Sequence, residues 1–256
     1  MGQINYSIRY FYDSLPDWKK KIDSKPVRFF YRPASFWIAS ICAKNGIQAN
    51  TVSYFSALIG IIGCVLYLPT NYWCNIIGAL FINFWLVLDC TDGNLARCVK
   101  KQPYGEFADA FSSYILVGLM CISIGFAAFC EGGYLLESGN KWLIFLGGIA
   151  SISDALTRSI YHKYNSVTRE LVDKGVIPQQ KDERKNHYQR SFIRALFEDQ
   201  FGLGGFLPLF ILLATVFRAL DVITIYFVFY FGAELLATVY ITLKKAISAQ
   251  HQYNIP

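Results

Sequence analysis

Six apolar runs, each near the length a helix needs to cross a bilayer, occupy most of this chain: roughly 50–69, 73–91, 106–130, 142–163, 192–217 and 220–243. About 20 apolar residues span the hydrocarbon core as an α-helix. Runs of that length predict an all-α integral membrane protein with six transmembrane helices. The fifth run is the least regular, because Glu198 and Asp199 lie in its first turns and Gly202, Gly204 and Gly205 follow. A composition of 54% hydrophobic and 17% aromatic residues agrees with this, and no Gly/Ser/Pro-rich linker, repeat or low-complexity tract divides the chain. The expected organisation is an interfacial segment at 1–49, a six-helix membrane domain at 50–248 and a tail at 249–256.

Orientation follows from the basic residues. With the N-terminus in the cytoplasm, every Lys and Arg except Lys141 and Arg218 falls on or near the inner face, as the positive-inside rule expects. Both termini are then cytoplasmic. The net charge of +6 is accounted for by anionic headgroups, which attract juxtamembrane Lys and Arg by about 1 kcal/mol each. It gives no indication of nucleic-acid binding. The first 25 residues are polar, so no cleavable signal peptide is expected, and Tyr6 stands where a myristoylation signal needs Ser or Thr.

Between Trp18 and Trp37, Lys19, Lys20, Lys21, Lys25, Arg28 and Arg32 alternate with Phe29, Phe30, Tyr31 and Phe36. That mixture predicts an amphipathic helix lying in the headgroup plane. Pro33 and Gly46 bracket a short apolar segment, Ala34 to Ala43, too short to span. The seven cysteines are scattered, mostly inside apolar runs, with no C-x-x-C pair and an odd total. They read as small hydrophobes.

Charges inside apolar runs cost several kcal/mol at a bilayer centre and ask for a function. Asp89 and Asp92 are three residues apart and share one helical face. Asp109 lies one turn into the next run, after a short hairpin at 98–104, so the three carboxylates converge near the inner boundary. Hard divalent cations choose such oxygen ligands. Gly93 and Ala96 clear one face for a flat ring or a phosphate, and Arg97 presents a fork of donors suited to a diphosphate.

Asp89, Asp92, Gly93, Ala96, Arg97, Gly105 and Asp109 match, in order and spacing, D-x2-D-G-x2-A-R-x7–8-G-x3-D-x3-D. This resembles the signature of the CDP-alcohol phosphotransferase family, and the entry to the first run through Asn50 and Ser53 is also similar. The resemblance implies a six-helix membrane fold with a cytosol-facing cavity and a homodimer. It implies a CDP-linked donor, Mg²⁺ or Mn²⁺ held by Asp89, Asp92 and Asp109, and release of CMP. Asn50, Ser53, Gly93, Ala96, Arg97 and Gly105 would form the cytidine and diphosphate pocket.

The last aspartate of the signature falls at Ser113. The resemblance makes that position the general base, which a serine hydroxyl unaided is not. Three explanations stand: Glu106, spaced 3 and 7 before Asp109 and Ser113 on one helical face, replaces it; the acceptor is already ionised, as a phosphate is; or the chain binds nucleotide without turnover. Asp154 and Arg158, four apart, read as an intramembrane ion pair, with Arg158 also a phosphate anchor beside the aspartates. Arg190 and Arg194 are further acceptor-phosphate candidates, while the charged run Lys181–Lys185 reads as solvated surface. Glu198, Asp199, Glu234 and Asn83 are each explained by a hydrogen bond within a helix bundle, and His162 and His187 read as surface. Ser56, Gly60 and Gly63 permit close helix packing.

The expected activity is transfer of a substituted phosphoryl group from a CDP-linked donor to an alcohol or phosphate acceptor, polar or lipid. The donor is either CDP-diacylglycerol or a CDP-linked headgroup. A catalytically silent homologue that senses CDP compounds or acts as a scaffold is the alternative. A membrane prenyltransferase is disfavoured, because its aspartate motifs come from two distant segments without the Gly-x2-Ala-Arg continuation.

Overall fold

The computed structural model describes residues 5–178 and 200–253, and every regular element among them is helical. Three short N-terminal elements, α1 (Ile8–Ser14), α2 (Asp17–Ile22) and a π-helical turn (Val27–Tyr31), lead into α3 (Arg32–Lys44). Then come α4 (Ala49–Val65), α5 (Tyr72–Cys98), α6 (Gly105–Glu131), α7 (Trp142–Asp173), α8 (Leu207–Val216) and α9 (Leu220–Tyr253). Local chemistry sets the ends. Ser7 Oγ caps α1 by accepting from Tyr10 N at 3.1 Å, and Asn71 Oδ1 caps α5 by accepting from Trp73 N at 3.0 Å.

Four helices, Tyr72–Cys98, Gly105–Glu131, Trp142–Asp173 and Leu220–Gln252, are long and apolar enough to cross a membrane. The first and fifth expected spans are represented by the shorter apolar helices α4, with 17 residues, and α8, with 10. Helix α4 gives way to turns after Val65, ahead of Thr70 in a left-handed conformation (φ 53°). At about 1.5 Å per residue it is about 26 Å long, somewhat under a typical core thickness of about 30 Å. Helix α8 starts only after the Gly202–Gly205 turns, and the beginning of the expected span at 192–199 lies outside the described residues, as do Glu198 and Asp199. Helices α7 and α9 run about ten residues past their expected ends.

Helix α4 packs on α5 and α6, α6 on α7, α7 on α9, and α8 covers α5. The α6–α7 crossing is close because glycines face each other: a Cβ on Gly147 would lie 2.5 Å from the Cys121 carbonyl oxygen. Polar ties lock the bundle where apolar packing leaves rotation undecided. Asn83 Nδ2 donates to the Pro208 carbonyl of α8 at 2.8 Å, and its Oδ1 accepts from Tyr31 Oη at 2.5 Å. The bundle hydrogen bond expected for Asn83 is therefore present.

The N-terminal segment departs from a single interfacial helix. It is a chain of short helices folded onto α5, with Phe29, Phe30 and Trp37 outward and Phe11, Tyr31 and Phe36 in the core. Arg32, expected among the headgroups, is instead 5% exposed. Asp23 is the reason: its carboxylate takes Arg32 Nε at 2.8 Å and Nη2 at 2.7 Å, and a bidentate pair satisfies a guanidinium away from water.

Candidate functional site

The signature residues lie on one helical hairpin. Helix α5 runs unbroken through Asp89–Arg97 to Cys98, and α6 opens at Gly105 behind Tyr104, whose backbone is left-handed (φ 59°). Asn50, at the start of α4, fastens the connection. Its backbone N–H donates to Gln102 Oε1 at 3.2 Å and its Nδ2 to the Pro103 carbonyl at 2.9 Å. Its Oδ1 is buried without a partner and lies 3.5 Å from where a Cβ on Gly105 would sit. Asn50 thus serves the hairpin, while one of its acceptors stays available.

Asp89 on α5 and Asp109 on α6 lie close enough for their carboxyl groups to interact across the two helices. Asp92, 6% exposed, accepts from Ser53 Oγ of α4 at 2.5 Å and lies within electrostatic reach of the other two. Ser53 therefore orients a carboxylate. The expected convergence is partial: among the described residues no three Asp, Glu, His or Cys side chains are set to hold a metal ion as a group. The donor set is nonetheless all oxygen, which suits a hard divalent cation, and two of its members already meet.

Arg97 folds back along its own helix. A Cβ on Gly93 would lie 2.7 Å from Arg97 Nη2, so the face that Gly93 clears is occupied by the guanidinium one turn on. Arg97 and Asp109 are exposed, and Ala96 is half-buried. The site opens to solvent at this end.

Below Asp109, Ser113 faces α7. Arg158 Nη1 approaches Ser113 Oγ at 3.4 Å, while its Nε donates to Asp154 Oδ2 at 2.7 Å. The expected Asp154–Arg158 pair is present, and its cation reaches the signature face. The guanidinium also stacks 4.4 Å from the Tyr114 ring centroid, and Tyr114 Oη is hydrogen-bonded to His162 Nε2. Glu106 is an exposed residue 3.9 Å from Lys101 Nζ. It lines a cavity of about 720 Å³ together with Tyr161, His162, Asn165, Ser166 and Arg169. Arg190, Arg194, His187 and the Lys181–Lys185 run lie outside the described residues.

Sequence reasoning missed two polar groups beside this site. One is the buried Asp23–Arg32 pair, which continues through Arg32 Nη1 to Asn94 Oδ1 at 3.1 Å and from Asn94 Nδ2 to Ser35 Oγ at 2.9 Å. The other joins Ser56 Oγ to Ser112 Oγ at 2.6 Å, with Trp85 Nε1 donating to Ser112 at 2.8 Å. Only the exception to amphipathic patterning, an Arg beginning an apolar helix face, hinted at the first.

Residues 47–173 match the family model described as CDP-alcohol phosphatidyltransferase. That stretch runs from the residues before α4 to the end of α7 and carries every signature position. Over it the chain belongs to the CDP-alcohol phosphatidyltransferase family, which consists of phosphotransferases and is generally dependent on divalent metals. With four helices able to cross a bilayer, the family indicates an integral membrane protein and phosphotransfer from a CDP-alcohol in lipid biosynthesis. A comparison with curated proteins finds no match.

Proposed function

We propose that this chain transfers a substituted phosphoryl group from a CDP-linked donor to an alcohol or phosphate acceptor, releasing CMP at the cytoplasmic side of the membrane. The observation that carries the proposal is Asp92 held by Ser53 at 2.5 Å, with Asp89 and Asp109 within electrostatic reach across the α5–α6 hairpin. Asp89, Asp92 and Asp109 would hold Mg²⁺ or Mn²⁺, whose chemistry there is to neutralise charge on diphosphate oxygens and on departing CMP. Arg97 binds the diphosphate through its fork of donors. Gly93, Ala96, Gly105 and the spare Asn50 acceptor form the nucleotide side of the pocket.

The acceptor oxygen forms a bond to the phosphorus distal to cytidine. The bond from that phosphorus to the CMP oxygen breaks, and CMP keeps the electron pair. Positioning and charge stabilisation account for most of the acceleration in such a transfer. Arg158 favours an acceptor that brings its own negative charge, because its guanidinium lies 3.4 Å from the serine hydroxyl that replaces the signature's last carboxylate. A phosphate acceptor has no proton to lose. A neutral alcohol would pass its proton to Glu106.

The remaining expectations complete the proposal. The apolar runs that contain α4 and α8 cross with the four longer helices to make six spans, with both termini cytoplasmic, and two copies pair. A binding-only homologue is the second reading, and Ser113 is what favours it: its hydroxyl donates to the Ala110 carbonyl at 3.1 Å, and no carboxylate stands at that position.

Purified protein with Mg²⁺ should release CMP from CDP-diacylglycerol or from a CDP-linked headgroup in the presence of acceptor, and Asp92→Ala should abolish release. CMP release by Asp92→Ala at the wild-type rate would refute the assignment. Metal-dependent CDP binding without turnover for any donor would establish the binding-only reading.

A further inference from the structure

Beyond the family-matched stretch, the N-terminal segment reaches the carboxylate site. Asp23 is the junction. Its side chain is 4% exposed, and it contacts Lys19 Nζ at 3.2 Å as well as the two Arg32 nitrogens. The two cations are placed differently. Arg32 directs Nε and Nη2 to Asp23 and Nη1 to Asn94 and the Cys90 carbonyl, at 6% side-chain exposure, so it ties the segment to α5. Lys19 is 27% exposed and makes one contact with Asp23, although an ammonium has three donors. Cys90 and Asn94, the residues Arg32 grips, flank Asp89 and Asp92 on α5, so Lys19 is delivered to the edge of the site.

We infer that Lys19, held by Asp23, is a binding residue for the diphosphate of the CDP-linked donor, supplied to the site by the interfacial segment. The inference rests on the carboxylate cluster being a diphosphate site. It adds a second cation to Arg97 for the charge of the diphosphate. It also gives the buried Asp23–Arg32 pair a purpose beyond anchoring: the pair fixes the end of α2 against α5, and Asp23 holds the Lys19 ammonium there at 3.2 Å.

The test uses full-length protein in detergent with Mg²⁺ and compares wild type, Lys19→Met, Lys19→Arg and Lys20→Met. Lys20 is the control, because it sits 3.6 Å from the exposed Asp17. Labelled CDP binding and its displacement by unlabelled cytidine are measured together with KM and kcat for CMP release. A charge-assisted contact predicts that Lys19→Met weakens CDP binding and raises the donor KM about tenfold or more. Cytidine affinity should stay unchanged, Lys19→Arg should recover most of the loss, and Lys20→Met should match wild type. Equal CDP affinity for Lys19→Met and wild type would overturn the inference alone. Parallel loss of CDP and cytidine binding, unrescued by Lys19→Arg, would make Lys19 a structural residue and overturn it too. If the wild-type chain binds no CDP, the diphosphate site itself fails, and this inference with it.

Discussion

Replacing Asp23 by Ala strips Arg32 of the carboxylate that takes its Nε at 2.8 Å and its Nη2 at 2.7 Å, at a place where the side chain is 6% exposed. Breaking a buried pair from one side costs about 3–5 kcal/mol, because the remaining charge stays buried without compensation. Arg32 keeps one good bond, to Asn94 Oδ1 at 3.1 Å, and a long one to the Cys90 carbonyl at 3.5 Å. The cost should therefore fall at the lower end, about 3 kcal/mol. It acts on the docking of α2 and α3 against α5 rather than on the whole bundle. Amide hydrogen exchange across 24–36 in detergent reads that docking, and about 3 kcal/mol corresponds to more than a hundredfold faster exchange. The double variant Asp23→Leu/Arg32→Met removes both charges and should exchange within about tenfold of wild type, since apolar replacement of a buried pair is often neutral. Exchange in Asp23→Ala within fivefold of wild type would refute the reasoning. So would a double variant as labile as the single.

Four further outcomes follow from the geometry. Ser53→Ala removes the donor that orients the Asp92 carboxylate; metal-dependent CMP release should fall about 10- to 100-fold at limiting Mg²⁺, as loss of an outer-shell partner does, and recover at high Mg²⁺. Gly147→Ala drives a Cβ to 2.5 Å from the Cys121 carbonyl and should destabilise by about 1–3 kcal/mol in thermal inactivation assays. The adjacent Gly148→Ala, with no atom within 4 Å, should be neutral or stabilising by up to about 1 kcal/mol. Arg158→Met should raise the acceptor KM for a phosphate-bearing acceptor about tenfold or more with little change in donor KM; an unchanged acceptor KM would remove Arg158 from the acceptor site.

Much of this molecule was legible before any fold was known, because membranes make sequence unusually explicit. Lipid forces backbone groups to pair within each segment, so the length and hydropathy of α5, α6, α7 and α9 dictate their helices. The cost of charge in that setting makes Asp89, Asp92 and Asp109 conspicuous, and the three-residue spacing of the first two puts them on one face. The Asp154–Arg158 pair was readable for the same reason, being local at one helical turn. Less was legible where turns decide: α4 ends sooner than its apolar run, and α8 is shorter than its own.

What only the tertiary structure decided are contacts between residues far apart in the chain. Hydropathy says that Arg32 is charged and so assigns it to the surface; Asp23, at the C-terminal end of α2, draws it into the interior instead. The turn from Gly93 to Arg97 reads as a cleared face, yet the guanidinium occupies it, a rotamer outcome that no spacing encodes. Ser53 meets Asp92 from 39 residues away, and Arg32 reaches Asn94 from 62. By itself the sequence determined the helices and the charges that a membrane makes costly, since both follow from local chemistry against lipid. Which charges share a site was settled by helix packing, whose crossing points depend on many small contacts at once.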